Sequence, residues 1–299
     1  MKVCFVYSNR AEYSLLRPFI DYFKKKAVIK EINLNRKIHR FNLDKNLSKI
    51  YSFCFNNFIQ NNYDYVCVLG DRKELPFIAL ATLHTETKLV HLAAGEYTQG
   101  IPTYDQYMRP IISILSKYQI CFSNKAKTEV IKLFEGISYL KPKAFVFGNP
   151  VFYGTDVKSL KRIIKENYDI VLMHPQSLSR EQTKKDILEL EKKLKNKKTV
   201  FIYGNKDRNY DIIQSFYTNL KNNKNYVFFE SLPKKKYFSL VKYCDKFYTN
   251  SSSMTEIKFL NKNCLQQIGL RNKNRSESLL NTESPKLLFQ LLKKDNNSN

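Results

Sequence analysis

Short runs of apolar, β-branched and aromatic residues recur along the chain, and many are followed by a polar turn and a helix-like stretch. The first run, Lys2 to Tyr7, precedes a polar turn, and apolar residues then recur at helical spacing from Ala11 to Lys26. A strand, a turn and a helix in this order make a βα unit. Repeated βα units predict parallel sheets with helices on both faces, which is an α/β fold of the Rossmann-like type.

The alternation of strands and helices runs through the first half of the chain and restarts in the second. In the first half we predict strands at Lys2 to Tyr7, Tyr65 to Leu69, Lys88 to Leu92, Tyr118 to Ser123 and Ala144 to Gly148. In the second half we predict them at Asp169 to Met173, Thr199 to Tyr203, Tyr226 to Phe229, Phe247 to Thr249 and Cys264 to Ile268. The stretch from Asn149 to Asn167 has no strand signal, so we interpret it as the linker. We therefore predict domains over residues 1–150 and 151–285, with a helix end and tail over 286–299.

The formal net charge of +24 restricts the classes of partner. A basic protein can bind nucleic acid, a membrane surface or an acidic small molecule. Lysine is spread along the whole chain, and no RNP-like motif, zinc finger or helix-turn-helix is recognisable. We therefore expect no nucleic-acid partner, whereas a positively charged cleft would suit an anionic diphosphate ligand.

Cysteine spacing and hydropathy predict a cytoplasmic protein. The six cysteines include no CxxC pair, so we expect buried thiols in a reducing compartment, without a zinc site or a disulfide framework. The apolar runs are far shorter than the roughly 20 residues that span a bilayer, and the N-terminal run leads into Asn9 and Arg10 rather than a cleavage site. We expect no membrane insertion. The absence of GxGxxG and GxxxxGK[ST] gives no support to NAD or ATP, and we predict no cofactor and no metal.

Three acidic side chains follow predicted strands of the first half. Asp71 comes immediately after the strand in VCVLGDRKE, Glu96 follows the strand in LVHLAAGEYT, and Asp105 comes next, in the loop IPTYDQYMRP. In parallel sheets, ligands bind beyond the carboxyl ends of the strands. Crowded carboxyl groups raise at least one pKa, which suits them to proton transfer near neutral pH. We predict that these three form an acid/base set, and we interpret His91, inside LVHLA, as a packed core histidine.

Groups that can bind a phosphate also follow predicted strands. Arg10 comes directly after the first strand, and His174 ends the first strand of the second half. The run NSSS at 250–253 leads into the predicted helix MTEIKFL, whose free N–H groups and neighbouring hydroxyls can bind an anion. The alternative interpretation is a capping box in which Ser253 is the N-cap and Glu256 its partner.

These motifs occur in the order that is typical of the UDP-N-acetylglucosamine 2-epimerases, and the chain resembles that family, most closely its hydrolysing branch. The matching segments are SNRAEYSLLRP, GDRKELPFIALA, HLAAGEYTQG, DQYMRPIISILS, VFGNP, HPQSL, IYGNKD, SLPKKKY and NSSSMTE. The resemblance implies two Rossmann-like domains in a GT-B arrangement, with a nucleotide in the cleft between them. It also implies a UDP-sugar substrate, with a GDP-sugar as the alternative, and a homodimer is common in the family.

The resemblance further assigns roles to individual residues. Asp71, Glu96 and Asp105 would be the acid/base set, and His174 would assist departure of the diphosphate. The rest of the nucleotide-sugar site would comprise Arg10, Asn205, Ser251, Ser252, Ser253, Glu256 and, more loosely, Arg271. The implied reaction eliminates UDP as the C2 proton is removed. Water then adds to the resulting glycal and releases a free sugar with inverted C2, without a metal.

The chain also departs from the family pattern. It is short between Lys30 and Asp64, Gln106 and Pro110 replace an acid and a histidine, Ala93 replaces a histidine, and Gly204 replaces a proline. These changes affect the sugar site more than the nucleotide site. Two alternatives therefore remain open, which are a GT-B glycosyltransferase that uses a nucleotide sugar and a catalytically inactive nucleotide-sugar-binding homologue.

Overall fold

The computed structural model describes residues 1–37, 46–97, 104–137, 139–204, 206–273, 275 and 277–298. They divide into two compact units, each built around a parallel sheet. The first unit contains Met1–Tyr97, Tyr104–Gly154 and the C-terminal segment from Ser278, while the second contains Thr155–Glu277. Among the described residues, no helix is long and apolar enough to cross a membrane.

The sheet of the first unit has six strands in the order β2-β1-β3-β4-β5-β6. Its strands are β1 (Lys2–Tyr7), β2 (Val28–Asn33), β3 (Tyr65–Leu69), β4 (Lys88–Leu92), β5 (Tyr118–Cys121) and β6 (Ala144–Val146). Its helices are α1 (Arg10–Phe23), α2 (Leu34–Lys37), α3 (Leu47–Asn61), α4 (Leu75–His84), α5 (Tyr104–Leu115), α6 (Asn124–Phe134) and, at the end of the chain, α11 (Ser284–Asn297). Every neighbouring pair of strands is parallel.

The sheet of the second unit has five parallel strands in the order β11-β10-β7-β8-β9. Its strands are β7 (Asp169–Met173), β8 (Thr199–Tyr203), β9 (Tyr226–Phe229), β10 (Lys246–Thr249) and β11 (Leu265–Gln267). Its helices are α7 (Arg180–Lys193), α8 (Tyr210–Leu220), α9 (Lys234–Tyr243) and α10 (Met254–Leu260). The predicted α/β class, with two Rossmann-like halves, is confirmed.

Burial explains why some elements were predictable and others were not. All five residues of β3 and of β7 are buried, because helices cover both faces of a parallel sheet and central strands therefore become continuous apolar runs. The edge strand β2 begins with Val28, which is 65% exposed, and its mixed sequence VIKEIN gave no clear signal. The helices α3 and α8 were also missed.

The prediction that Asp105 lies in a loop is wrong, because this residue belongs to the first turn of α5. Ile112 is fully buried in the core, and Met108 and Leu115 pack against the same apolar cluster. The spacing of these three residues places them on one face of a helix. Pro110 lies inside this helix, although proline usually ends or kinks a helix.

The C-terminal helix α11 returns to the first unit. Leu288 and Leu292 are fully buried in its core, and the ring of Phe289 lies 5.2 Å from that of Phe23 on α1. Near the end of the helix, the carboxylate of Asp295 accepts hydrogen bonds at 2.8 Å from Lys117, 3.0 Å from Lys88 and 2.5 Å from the hydroxyl of Tyr65. These donors precede or begin β5, β4 and β3, so one carboxylate attaches α11 to the amino ends of three strands.

We predict that Asp295→Asn lowers the free energy of unfolding at neutral pH by about 2 kcal/mol, because charge-assisted hydrogen bonds of a largely buried carboxylate are lost. Burial alone would raise the pKa of Asp295, but the hydrogen bonds from Lys117, Tyr65 and Lys88 outweigh it and hold the pKa well below its ordinary value. This stability is present above the unfolded-state pKa of about 4 and is lost as the pH falls through the folded-state pKa.

Urea unfolding of the wild-type and variant proteins at several pH values measures this difference. Asp211→Asn is the matched control, because Asp211 binds Arg180 through two hydrogen bonds on an exposed surface, where ion pairs contribute little. Equal stabilities of Asp295→Asn and Asp211→Asn at neutral pH would contradict the prediction.

Candidate functional site

The strand order creates one switch point in each sheet, where the chain reverses its direction of strand addition. In the first unit β1 lies between β2 and β3, and in the second β7 lies between β8 and β10. The helices that follow such strands lie on opposite faces, and a crevice opens beyond the carboxyl ends of the two strands. Arg10 and Asp71 follow β1 and β3, and His174 follows β7, so three predicted site residues lie at these two positions.

Asp71 is held by an ion pair that the sequence analysis did not identify. Its carboxylate binds the guanidinium of Arg109 on α5, and the two side chains are 17% and 6% exposed. An ion pair this sheltered fixes the orientation of the carboxylate and stabilises its charged form. Asp105 lies one helical turn before Arg109, so α5 brings its backbone to the same edge of the sheet. The four-residue spacing in DQYMR indicates that Asp105 and Arg109 share one face of a helix, but no local pattern links Arg109 with Asp71.

Glu96 is buried, with 2% of its surface exposed, at the end of a tight loop after β4. The loop contains Ala93 at φ 58° and Gly95 at φ 74°, both in the left-handed region. A Cβ atom at Gly95 would lie 2.0 Å from the carbonyl oxygen of Ala126 on α6, so only glycine fits there. Burial is the main reason that the pKa of the Cys121 thiol is raised to about 12, and the negative charge of Glu96 contributes to the rise. Glu96 therefore lies close to Cys121, the last residue of β5.

Asp71 and Glu96 therefore follow neighbouring strands, as predicted. Leu69 of β3 and Leu92 of β4 are paired in register, and the N–H of Gly70 donates to the carbonyl of Leu92 at 3.0 Å. Arg10 begins α1 beyond β1, where it is exposed. The acid/base role of the set stays a prediction.

His91 is fully buried, which fits its interpretation as a core histidine, and it also contacts the loop that carries Asp71. Its Nε2–H donates to the carbonyl of Gly70 at 2.7 Å, and Nδ1 lies 2.9 Å from the hydroxyl of Ser113 on α5. Burial lowers the pKa of His91 to about 4, so the ring is neutral at physiological pH. A neutral ring with one donor and one acceptor nitrogen satisfies both contacts and fixes the backbone directly before Asp71.

In the second unit, the side chain of Asn250 joins β10 to β7. Its Oδ1 accepts from the backbone N–H of His174 at 2.8 Å, and its Nδ2 donates to the carbonyl of His174 at 2.9 Å. Nδ2 also approaches the buried carboxyl group of Asp186 on α7 at 3.4 Å, and two glutamines of the same region donate to Asp186 as well. Burial raises the pKa of Asp186. The sequence analysis took Asn250 as part of the serine run, whereas the structure shows that it positions His174.

The imidazole of His174 is neutral at physiological pH. Burial of the ring and, second, the nearby positive charge of Arg271 lower its pKa to about 3. Gly204, which follows β8, gives this ring its space, because a Cβ atom there would lie 2.9 Å from Nδ1 of His174 and 2.2 Å from the carbonyl oxygen of Met173. His174 and Arg271 thus lie close together, while Asn205 lies outside the described residues.

The serine run forms a compact loop between β10 and α10. The hydroxyls of Ser251 and Ser253 lie 3.0 Å apart, the N–H of Ser253 donates to the Ser251 hydroxyl at 3.3 Å, and Ser252 is exposed. Ser253 occupies the N-cap position of α10, but its side chain makes no capping hydrogen bond, so the capping-box alternative is wrong. Glu256 lies in the first turn of α10 and is 7% exposed.

The comparisons with known proteins agree with one another. Residues 13–284 match the family described as UDP-N-acetylglucosamine 2-epimerase. The chain is 27% identical to the GDP/UDP-N,N'-diacetylbacillosamine 2-epimerase (hydrolyzing) of Campylobacter jejuni, over 94% of this chain and 84% of that protein. It is 29% identical to the polysialic acid biosynthesis protein P7 of Escherichia coli, over 82% of this chain and 64% of that protein.

Solved structures show the same fold. The UDP-GlcNAc 2-epimerase of Methanocaldococcus jannaschii in complex with UDP-GlcNAc and UDP is similar with a TM-score of 0.74 and 17% identity, over 98% of this chain and all of that one. The UDP-GlcNAc 2-epimerase of Neisseria meningitidis bound to UDP-GlcNAc is similar with a TM-score of 0.73 and 15% identity, over the same shares of the two chains.

We predict that His91→Gln weakens the pH dependence of stability between about pH 6.5 and pH 4. Unfolded histidine binds a proton below about 6.5, whereas buried His91 does so only below about 4, so the free energy of unfolding falls as the pH falls through this window. Each pKa unit corresponds to about 1.4 kcal/mol. Glutamine retains an N–H for the carbonyl of Gly70 but does not titrate.

Chemical unfolding at several pH values tests this prediction. As a control, Gln119→Met alters a buried, non-titrating side chain of the same sheet and should lower stability by the same amount at every pH. A slope for His91→Gln equal to that of the wild type would show that His91 does not carry this pH dependence.

We predict that Gly204→Ala displaces the imidazole of His174 towards solvent and raises its pKa from about 3 towards 6.5. The added Cβ atom cannot occupy its position 2.2 Å from the Met173 carbonyl oxygen without a shift of the surrounding backbone. Gly154→Ala is the control, because its φ of 68° makes it a strained substitution with no atom within 4 Å of the new Cβ. NMR titration of the histidine rings measures the change, and a His174 pKa that stays near 3 in Gly204→Ala would count against the prediction.

Proposed function

The chain belongs to the UDP-N-acetylglucosamine 2-epimerase family, and from this premise we propose that it is a hydrolysing sugar-nucleotide 2-epimerase. It eliminates UDP from a UDP-N-acetylglucosamine-type substrate and adds water, which gives a free sugar of the N-acetylmannosamine type. The name of the Campylobacter jejuni relative supports the hydrolysing branch. The observation that carries the proposal is the position of Asp71 and Glu96 at the carboxyl ends of paired strands.

The two carboxyl groups have different surroundings, as the reaction requires. Asp71 is paired with Arg109, which suits it to remove the C2 proton as a charged base. Glu96 is almost fully buried, and burial favours the neutral form of a carboxyl group, which suits it to deliver a proton to C2 from the opposite face. Asp105, one turn before Arg109, is the third member of the proposed set.

Departure of UDP requires stabilisation of the negative charge that forms on the diphosphate. His174 is neutral, so it contributes a hydrogen bond from a ring N–H rather than a positive charge. The charge comes from Arg271, beside His174, and from Arg10. Ser251, Ser252 and Ser253 provide hydroxyl and backbone donors, Asn205 completes the diphosphate set, and Glu256 binds the ribose. That both sets act on one substrate is part of this proposal.

The proposal also covers substrate range, assembly and location. The base is uracil in the first instance, with a GDP-sugar as the alternative, since the Campylobacter jejuni relative is named for both nucleotides. We propose a cytoplasmic location, because six buried cysteines all have free thiols, and a homodimer that light scattering can test.

We predict that incubation with a UDP-N-acetylglucosamine-type sugar in heavy water releases UDP and a free sugar that carries deuterium at C2. The physical reason is that elimination discards the C2 proton and hydration replaces it from solvent. NMR and mass spectrometry of the products measure both events, and a panel of UDP- and GDP-sugars identifies the substrate. Transfer of the sugar to an acceptor with retained C2 protium would instead favour the glycosyltransferase, and UDP binding without turnover would favour the inactive homologue.

The same assay tests the assigned residues. Asp71→Asn and Glu96→Gln should each lower kcat by roughly 10²- to 10⁴-fold, the usual contribution of a general acid or base. The matched control is Glu166→Gln, an exposed acid of the second unit, which should keep wild-type activity. Wild-type kcat in both active-site variants would refute the assignment.

A further inference from the structure

A buried hydroxyl at the switch point of the first sheet connects two glutamates. Ser8, Glu12 and Glu74 are 1%, 6% and 0% exposed. The Ser8 hydroxyl lies 2.8 Å from Oε2 of Glu12, in the first turn of α1, and it also forms a hydrogen bond with Oε1 of Glu74, which precedes α4. This row of three oxygens joins the carboxyl ends of β1 and β3.

Proton counting favours the presence of a carboxyl proton in this row. A hydroxyl has one hydrogen, so Ser8 can donate to one carboxylate only. The second contact requires a hydrogen on the other carboxyl group, because two lone pairs would otherwise face each other. Burial is the main cause that raises the pKa of Glu12, and the negative charge of Glu74 raises it further. A raised pKa agrees with a carboxyl group that keeps its proton.

The remaining oxygens of the pair support the same count. Oε1 of Glu12 and Oε2 of Glu74 are buried and have no hydrogen-bond partner within the described part of the chain. Ionisation of both groups would leave two negative charges with unsolvated oxygens, which is costly in a protein interior. If Glu12 and Glu74 share one proton, the two side chains together carry a single negative charge, and the positive charge of Arg72 balances it.

The row connects the two loops that carry proposed site residues. On the β1 side, the backbone N–H groups of Ser8 and Asn9 donate to Glu12 at 2.7 and 3.1 Å, directly before Arg10. On the β3 side, Nε of Arg72 donates to Glu74 at 2.8 Å, directly after Asp71. A capping box accounts for the contacts of Glu12 with its own helix, but Glu74 makes no capping bond to α4.

We propose that Ser8, Glu12 and Glu74 form a proton-sharing brace that positions Arg72 and the Arg10 turn relative to Asp71. They are positioning residues, since they act through their neighbours. The catalytic consequence of the brace rests on the proposed function, whereas its proton count does not.

Infrared difference spectra at neutral pH test the proton count without any substrate. If the pair shares one proton, Glu12→Gln and Glu74→Gln should each remove one protonated-carboxyl band and no carboxylate band, because the remaining glutamate ionises. Glu166→Gln is the control and should remove one carboxylate band. Loss of a carboxylate band in both brace variants, with no protonated band lost, would overturn the proposal.

Kinetics test the positioning role. Ser8→Ala should lower kcat/KM by roughly ten- to hundredfold, mainly through kcat, because a displacement of about 1 Å at a reacting group has effects of this size. Ser116→Ala, which removes another buried hydroxyl of the first unit, should keep wild-type kcat. A folded Ser8→Ala protein with wild-type kcat/KM would overturn the role.

If Ser8→Ala does not fold, the two glutamine variants decide. Glu74→Gln should lower kcat, since Arg72 loses its carboxylate, whereas Glu12→Gln should change it less, because Arg72 keeps the carboxylate of Glu74. Equal and unchanged kcat in both would overturn the positioning role. Should the wild-type protein turn over no nucleotide sugar, the proposed function fails, while the infrared result still decides the brace.

Discussion

Each sheet places its first strand in the interior, with the second strand on one side and a later strand on the other. This parallel arrangement determines where polar groups can collect, because the chain leaves adjacent strands towards opposite faces and exposes their carboxyl ends. At each switch point, a side chain of the protein connects the segments that follow the two neighbouring strands. Asn250 links β10 to β7 through the backbone of His174, and Ser8 links β1 to Glu74 beyond β3. The loops that carry the proposed site residues are therefore connected by hydrogen bonds within the protein.

The same arrangement explains how a chain of net charge +24 keeps neutral groups inside its candidate site. His91 is fully buried and His174 is partly buried, and desolvation keeps both rings uncharged at physiological pH. Positive charge close to these loops comes instead from arginines, which keep their proton in any protein environment. Such a division lets neutral histidines act as directional hydrogen-bonding groups while the arginines balance carboxylates and, in the proposed reaction, the departing diphosphate.

Local pattern was sufficient to predict β1, β3, β4 and β7 to the residue, and hence the strand-end positions of Asp71 and His174, because buried parallel strands are continuous apolar runs. The partners of these residues were beyond such reasoning. Arg109 lies 38 residues after Asp71 and Asn250 lies 76 residues after His174, and only the folded sheet brings them together. The return of α11 to the first unit was hidden for the same reason, since no local pattern specifies which core an amphipathic helix joins.

Two positions at which the chain departs from the family pattern lie in backbone that contacts the candidate site. Gly204 replaces a proline, and the space of the missing Cβ is occupied by the ring of His174 and the carbonyl of Met173. Ala93 replaces a histidine and adopts φ 58°, a conformation that costs a residue with a Cβ atom roughly 1 kcal/mol. The backbone of Gly95 packs closely against Ala126 of α6, and this packing stabilises the loop in spite of the strained conformation of Ala93. Glu96, at the end of the loop, is buried. Gly204 thus leaves room for one proposed site residue, and Ala93 lies in the loop that carries another.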